Sequence, residues 1–183
     1  MDVIERYPRG CLFLAVAVAG SLSWLLAGTG WSIVLLALLL LGPAIEDARS
    51  GFISDGWSLL LAISGIITSW QAEHGIESLL SSLFLLVLYG LLYVIKKDAV
   101  GMGDVILSAA VSLWLTPVFA LLFLWLASVL ALCWYGLVFL YEGNTPGKGV
   151  RFAPFLALGG GIAYGLQETV GLSLFTALWF FAG

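Results

Sequence analysis

The chain has 183 residues, of which 62% are hydrophobic and only 10% charged, and its mean hydropathy is +1.10. A soluble domain carries roughly 25% charged residues, so this composition excludes a water-facing globule and makes lipid the solvent for most of the surface. The net charge of −4, with seven scattered basic residues, excludes nucleic acid as a partner.

At about 20 apolar residues per crossing, the chain holds six to eight spans joined by short loops. The expected fold is therefore all-α: one polytopic integral membrane helix bundle of about seven spans covering residues 1–183, with no soluble module. The first apolar run, Cys11 to Ala27, follows Arg6 and Arg9 in the manner of a signal peptide. It is nearly of span length and lacks a clean cleavage motif, so it is expected to be a retained helix. The second runs from Trp31 to Ile45, the third from Trp57 to Trp70, and the fourth from Leu79 to Ile95. A fifth starts near Asp104 and ends by Thr116, the sixth covers Val118 to Tyr141, and the seventh Phe152 to Leu166. The last run, Gly171 to Phe180, is short for a span and suits a half-inserted or tilted tail.

Alternating crossings put all seven basic residues on one side: Arg6, Arg9, Arg49, Lys96, Lys97, Lys148 and Arg151. The opposite loops, Gly28 to Gly30, Gln71 to Glu77, Thr116-Pro117 and Gln167 to Val170, carry none. Positive charge stays on the cytoplasmic side during insertion, so the N-terminus is expected there, in a plasma (inner) membrane.

Two cytoplasmic loops hold the polar residues of interest. One reads Glu46-Asp47-Ala48-Arg49-Ser50-Gly51-Phe52-Ile53-Ser54-Asp55, and the other Lys96-Lys97-Asp98-Ala99-Val100-Gly101-Met102-Gly103-Asp104. Topology brings Asp47 and Asp104 to one membrane face, each at a helix end. Acids at a membrane-embedded helix end are costly and usually functional. Two such carboxyls close together cannot both ionise easily, so one keeps its proton while the other is a base, which is how aspartic proteases activate water. Gly101 and Gly103, lacking Cβ, let another backbone approach beside Asp104. Spacing alone leaves a plain alternative open, in which Asp104 and Asp55 cap the fifth and third helices. Glu46, adjacent to Asp47, is a candidate perturber of its pKa.

Three segments together resemble the type IV prepilin peptidases and archaeal preflagellin peptidases, the GxGD-type intramembrane aspartyl peptidases. Asp47 to Asp55 is similar to the first-aspartate motif, an Asp followed by a basic stretch and Ile/Leu-Pro-Asp. Gly101-Met102-Gly103-Asp104-Val105 is similar to the second, and Phe152-Ala153-Pro154-Phe155-Leu156-Ala157-Leu158-Gly159 to the family's Pro-Phe-Gly-Pro-Phe-Leu-Ala-Leu-Gly segment. The resemblance implies a catalytic pair, Asp47 and Asp104, with Gly101, Gly103, Glu46, Asp55 and Pro154 binding substrate or shaping the site. It implies no cofactor and no metal, and as partner a prepilin- or pseudopilin-like precursor with a basic leader and a hydrophobic helix. Departures are Ser54 in place of Pro, Ile106 where many members carry Lys, and Arg151-Phe152-Ala153 in place of Pro-Phe-Gly. Larger members also carry a cytoplasmic region with paired CxxC motifs and N-methylate the new terminus. Cys11 and Cys133 have no such spacing, so peptidase activity without methyl transfer is expected.

The alternatives are a proton- or cation-coupled transporter using the same acids, a presenilin-like protease with other substrates, and an inactive scaffold. Transporters tend to show internal repeats and broken spans at midplane; no repeat is found here. His74 falls in an opposite-side loop, and Gly159 to Gly161 with Gly165 suit close helix packing.

Overall fold

Helix is the only regular structure among the described residues, as expected where lipid cannot satisfy backbone N–H and C=O groups. The computed structural model describes residues 31–95, 100–142 and 151–170. The helices are α1 (Ser32–Ser50), α2 (Asp55–Gln71), α3 (Gly75–Ile95), α4 (Met102–Ser112), α5 (Pro117–Glu142) and α6 (Ala153–Val170). The apolar runs Cys11 to Ala27 and Gly171 to Phe180 lie outside the described residues, as do Lys96, Lys97 and Lys148. Two helices, α3 and α5, are long and apolar enough to cross a membrane.

The distribution of polarity is inverted relative to a soluble bundle. Leu80, Leu83, Val87, Leu91 and Val94 of α3 are exposed, as are Leu121, Trp125, Leu132, Leu137 and Leu140 of α5. Meanwhile Ser58, Ser64, Ser78, Ser81, Ser108 and Ser112 are buried. Small polar residues at helix contacts and apolar residues outside are what a lipid solvent selects.

The short helix α4 sits in the centre, packed against α2, α3 and α6. Its 11 residues span only ~16 Å, about half of a hydrocarbon core. Val105 and every residue from Leu107 to Thr116 are buried, so the helix and the turn after it are enclosed by protein. The expected fifth span continues to Thr116, but α4 ends at Ser112. Its backbone then tightens into a turn, with Trp114 N–H donating to Val111 O at 3.1 Å and Leu115 N–H to Ser112 O at 3.1 Å. The buried turn is satisfied from α6: Gln167 Oε1 accepts from Thr116 N–H at 2.7 Å, and Gln167 Nε2 donates to Trp114 O at 3.1 Å. Trp114 Nε1 donates to Leu61 O of α2 at 2.9 Å, and its ring meets Tyr164 edge-on.

Close approaches at glycine set the remaining packing. A Cβ on Gly159 would lie 3.0 Å from Ala127 N, and one on Gly160 would lie 2.7 Å from Val111 Cγ1. Gly159 lets α6 meet the α5 backbone and Gly160 makes room for the Val111 side chain of α4, whereas Gly161 faces open space.

Candidate active site

Asp47 lies on a stripe of α1 at helical spacing, Leu36, Leu40, Pro43 and Asp47, all buried. A carboxyl therefore occupies a position the helix otherwise fills with apolar side chains, at 6% exposure. The helix ends just beyond it because Gly51 adopts a left-handed conformation, φ 68°, which glycine enters without a Cβ penalty. Asp47 Oδ2 accepts a hydrogen bond from Ala153 N–H at 3.2 Å. Ala153 opens α6, and Pro154 stands in its first turn, where a missing N–H costs nothing. The free N–H end of α6 thus faces the Asp47 carboxyl, an arrangement that favours negative charge.

Asp104 arrives from the opposite chain direction, in the first turn of α4. Gly101 caps that helix, and the Asp104 carboxyl accepts from the Gly101 backbone N–H, as the third residue of a capping box does. Gly101, not Asp104, is therefore the capping position, with Asp104 in the first turn close enough to Asp47 for that residue's charge to act on it directly. A Cβ on Gly103 would lie 3.3 Å from Ile53 Cβ, so glycine there seats α4 against the turn following α1. A Cβ on Gly101 would lie 3.3 Å from Asp104 Oδ2 and crowd the carboxyl.

Both acids occupy polar end turns, outside the two helices long enough to cross a membrane. Burial raises the pKa of Asp47, against the Ala153 N–H bond and the charge of Arg151, which lower it. Burial also raises Asp104, the Asp47 charge adds to this, and the Gly101 bond opposes; the net result is about 6. The asymmetry has a physical cause. An amide and a guanidinium favour the charged form of Asp47, and the proton on Asp104 must leave against that charge.

Glu46 does not perturb Asp47 as expected. Its Oε2 accepts from Ser54 N–H at 3.0 Å and ties the turn after α1 back onto the helix. Ser54 stands where the resembled motif carries Pro, and a proline has no N–H to give. Asp55 is exposed at the start of α2; Ser54, not Asp55, is the capping position there. His74 lies in the α2–α3 turn at the other end of the bundle, with Nδ1 against Ala72 O at 3.1 Å. Among the described residues no group of three His, Cys, Asp or Glu is placed to hold a metal ion. Two residues near the acids carried no individual sequence signal for that role. Arg151 counts there among the basic residues that mark one side of the membrane, and Tyr89 is one of six tyrosines, distinguishable only by sharing a helical face with Ser78, Ser81 and Leu85.

The sequence profile of the type IV leader peptidase family matches residues 32–136. A protein of Escherichia coli O78:H11 (strain H10407 / ETEC), described as a type 4 prepilin-like proteins leader peptide-processing enzyme, is 27% identical over 167 residues. That match covers 86% of this chain and 60% of the relative, so the chain spans well under the relative's whole length. No solved structure matches.

Proposed function

The chain belongs to the type IV leader peptidase family, and from that premise we propose that it is a membrane-embedded aspartyl endopeptidase. It removes the short basic leader of prepilin- or pseudopilin-like precursors at the cytoplasmic face. The observation that carries this reading is the meeting of two carboxyls, from α1 and α4, at one end of the bundle, with Asp104 pushed up to about 6 by burial and by Asp47.

In this mechanism Asp47 is the ionised partner and Asp104 the protonated one. Asp47 takes a proton from a water molecule, and the oxygen attacks the scissile carbonyl carbon. Asp104 gives its proton to the carbonyl oxygen as the tetrahedral intermediate forms. Collapse of the intermediate returns a proton through the pair to the leaving amine. Enclosure of α4 supports the site by keeping the carboxyls out of bulk water, where the same charges would interact weakly. Arg49 and Arg151 lie at this end of the described helices, and the turns at the other end carry no Lys or Arg, which favours a cytoplasmic site.

The test is co-expression with a candidate prepilin and a gel shift for leader removal. Asp47→Asn and Asp104→Asn should each abolish cleavage while the protein remains inserted. Either variant retaining a tenth of wild-type turnover rules out a shared-proton pair.

A further inference from the structure

The face of α3 turned toward α4 is drawn by its buried residues, Ser78, Ser81, Leu85 and Tyr89, which recur at helical spacing. The register between these antiparallel helices is fixed by Ser82 Oγ, which donates to Ala109 O at 2.9 Å. From that tie Tyr89 lies seven residues, ~10.5 Å, toward the site, and Asp104 lies five residues, ~7.5 Å, in the same direction. Side chains on a helix lean toward its N-terminus, which on α3 carries the Tyr89 ring back to the level of Asp104. The phenol and the Asp104 carboxyl are within electrostatic reach of each other.

The Tyr89 hydroxyl is a hydrogen-bond donor at the level of Asp104. Tyr89 is only 5% exposed, yet among the described residues its hydroxyl has no hydrogen-bond partner. A buried tyrosine normally finds a partner for its O–H, and no side chain among the described residues completes this one.

Resting on the peptidase reading above, we propose that Tyr89 is a catalytic hydrogen-bond donor, its hydroxyl bonding the scissile carbonyl oxygen as that oxygen gains negative charge. The phenol keeps its proton throughout. Asp104 supplies and recovers the transferred proton, while Tyr89 stabilises the developing charge. A donor aimed at the intermediate acts mainly on kcat, and losing one such donor reduces kcat on the order of 10²-fold or more.

The test uses the full chain reconstituted in liposomes with a prepilin precursor. Tyr89→Phe keeps the ring and removes only the donor. It should lower kcat at least about 30-fold, with KM within about twofold of wild type and an unchanged thermal midpoint. Tyr89→3-fluorotyrosine, which restores a donor, should bring kcat back to within about threefold of wild type. A Tyr89→Phe kcat within about threefold of wild type overturns the proposal, as does a rise in KM alone. Low kcat in both variants means that packing, not hydrogen bonding, is being read, and overturns it too. Wild type cleaving while Tyr89→Phe cleaves equally removes Tyr89 alone. Wild type leaving precursors intact, or cleavage surviving Asp47→Asn and Asp104→Asn, removes the peptidase site itself.

Discussion

Replacing Asp104 by Asn should stabilise the folded protein while abolishing its activity, because the acid is held in surroundings that disfavour its charge. Its pKa rises from an ordinary 3.8 to about 6 on folding. The folded state therefore binds this proton more tightly than the unfolded state does. Below about pH 4 the group is neutral in both states and contributes no penalty. As the pH rises from there through about 6, the unfolded chain ionises first and the folded state loses relative stability; above that the loss is constant. About two pH units at 1.4 kcal/mol each give ~3 kcal/mol, reduced to ~2 kcal/mol because the carboxyl retains some solvent contact. Asn preserves the shape and can still accept from Gly101 N–H, so the variant should gain most of that amount. For a chain of this size the gain corresponds to a thermal midpoint higher by about 4–8 °C at pH 8.

The assay is thermal unfolding in detergent across pH 4 to 8, followed by tryptophan fluorescence. The difference between wild type and variant should be near zero at pH 4, open through pH 5 and 6, and level off by pH 7. A variant no more stable than wild type at pH 8 would refute the buried, charge-coupled placement of Asp104. So would a difference that is largest at low pH.

Three further outcomes are expected. Arg151→Gln removes the charge that holds Asp47 down, so the acidic limb of the kcat/KM profile should move up by about half a pH unit, given an exposed charge screened by water; an unmoved limb removes Arg151 from the site. Gly103→Ala puts a methyl 3.3 Å from Ile53 Cβ and should lower kcat several-fold, with Ile53→Ala restoring part of it in the double variant if that contact is the cause. Gln167→Leu strips partners from Thr116 N–H and Trp114 O in a buried turn and should destabilise by ~2–5 kcal/mol, while turnover per folded molecule, measured after size exclusion, stays near wild type.

The order of the helices and the convergence of the two acids at one end were legible in the sequence because both depend on coarse features. Apolar run length marks helices, and the one-sided placement of Arg49 and Arg151 marks an end. What stayed hidden depends on tertiary register. The run from Asp104 to Thr116 is uniformly apolar enough to read as one helix. Its end at Ser112 is fixed by Gln167, a residue 55 positions away in the chain, counted as 167 − 112. Glu46 follows the same logic. Sequence adjacency suggested an effect on Asp47, but consecutive residues on a helix point about 100° apart, and Glu46 turns to Ser54 N–H instead. Tyr89 was invisible because nothing in an apolar run distinguishes a ring against α4 from one against lipid until the Ser82 to Ala109 bond sets the phase.

The proton economy of the pair follows from two opposing effects of comparable size. Burial lifts both carboxyls, while each also sits at a helix N-terminus: Asp47 against the first N–H of α6, Asp104 inside the first turn of α4. A helix N-terminus favours a carboxylate by ~0.3–1 kcal/mol, and by up to ~2 kcal/mol in a partly buried setting, whereas full burial can lift a carboxyl by several pH units. Burial wins at both positions, against different neighbours. Asp47 has a guanidinium in reach as well as an amide, and Asp104 has the charge of Asp47 in place of one. The result is a pair in which the Asp104 proton leaves at about pH 6 instead of in the ordinary carboxylate range. Helix ends without those N–H groups would favour protonation of both carboxyls, and an exposed cleft would favour ionisation of both. The short α4, beginning at a glycine cap and enclosed by its neighbours, is what keeps the pair between these limits.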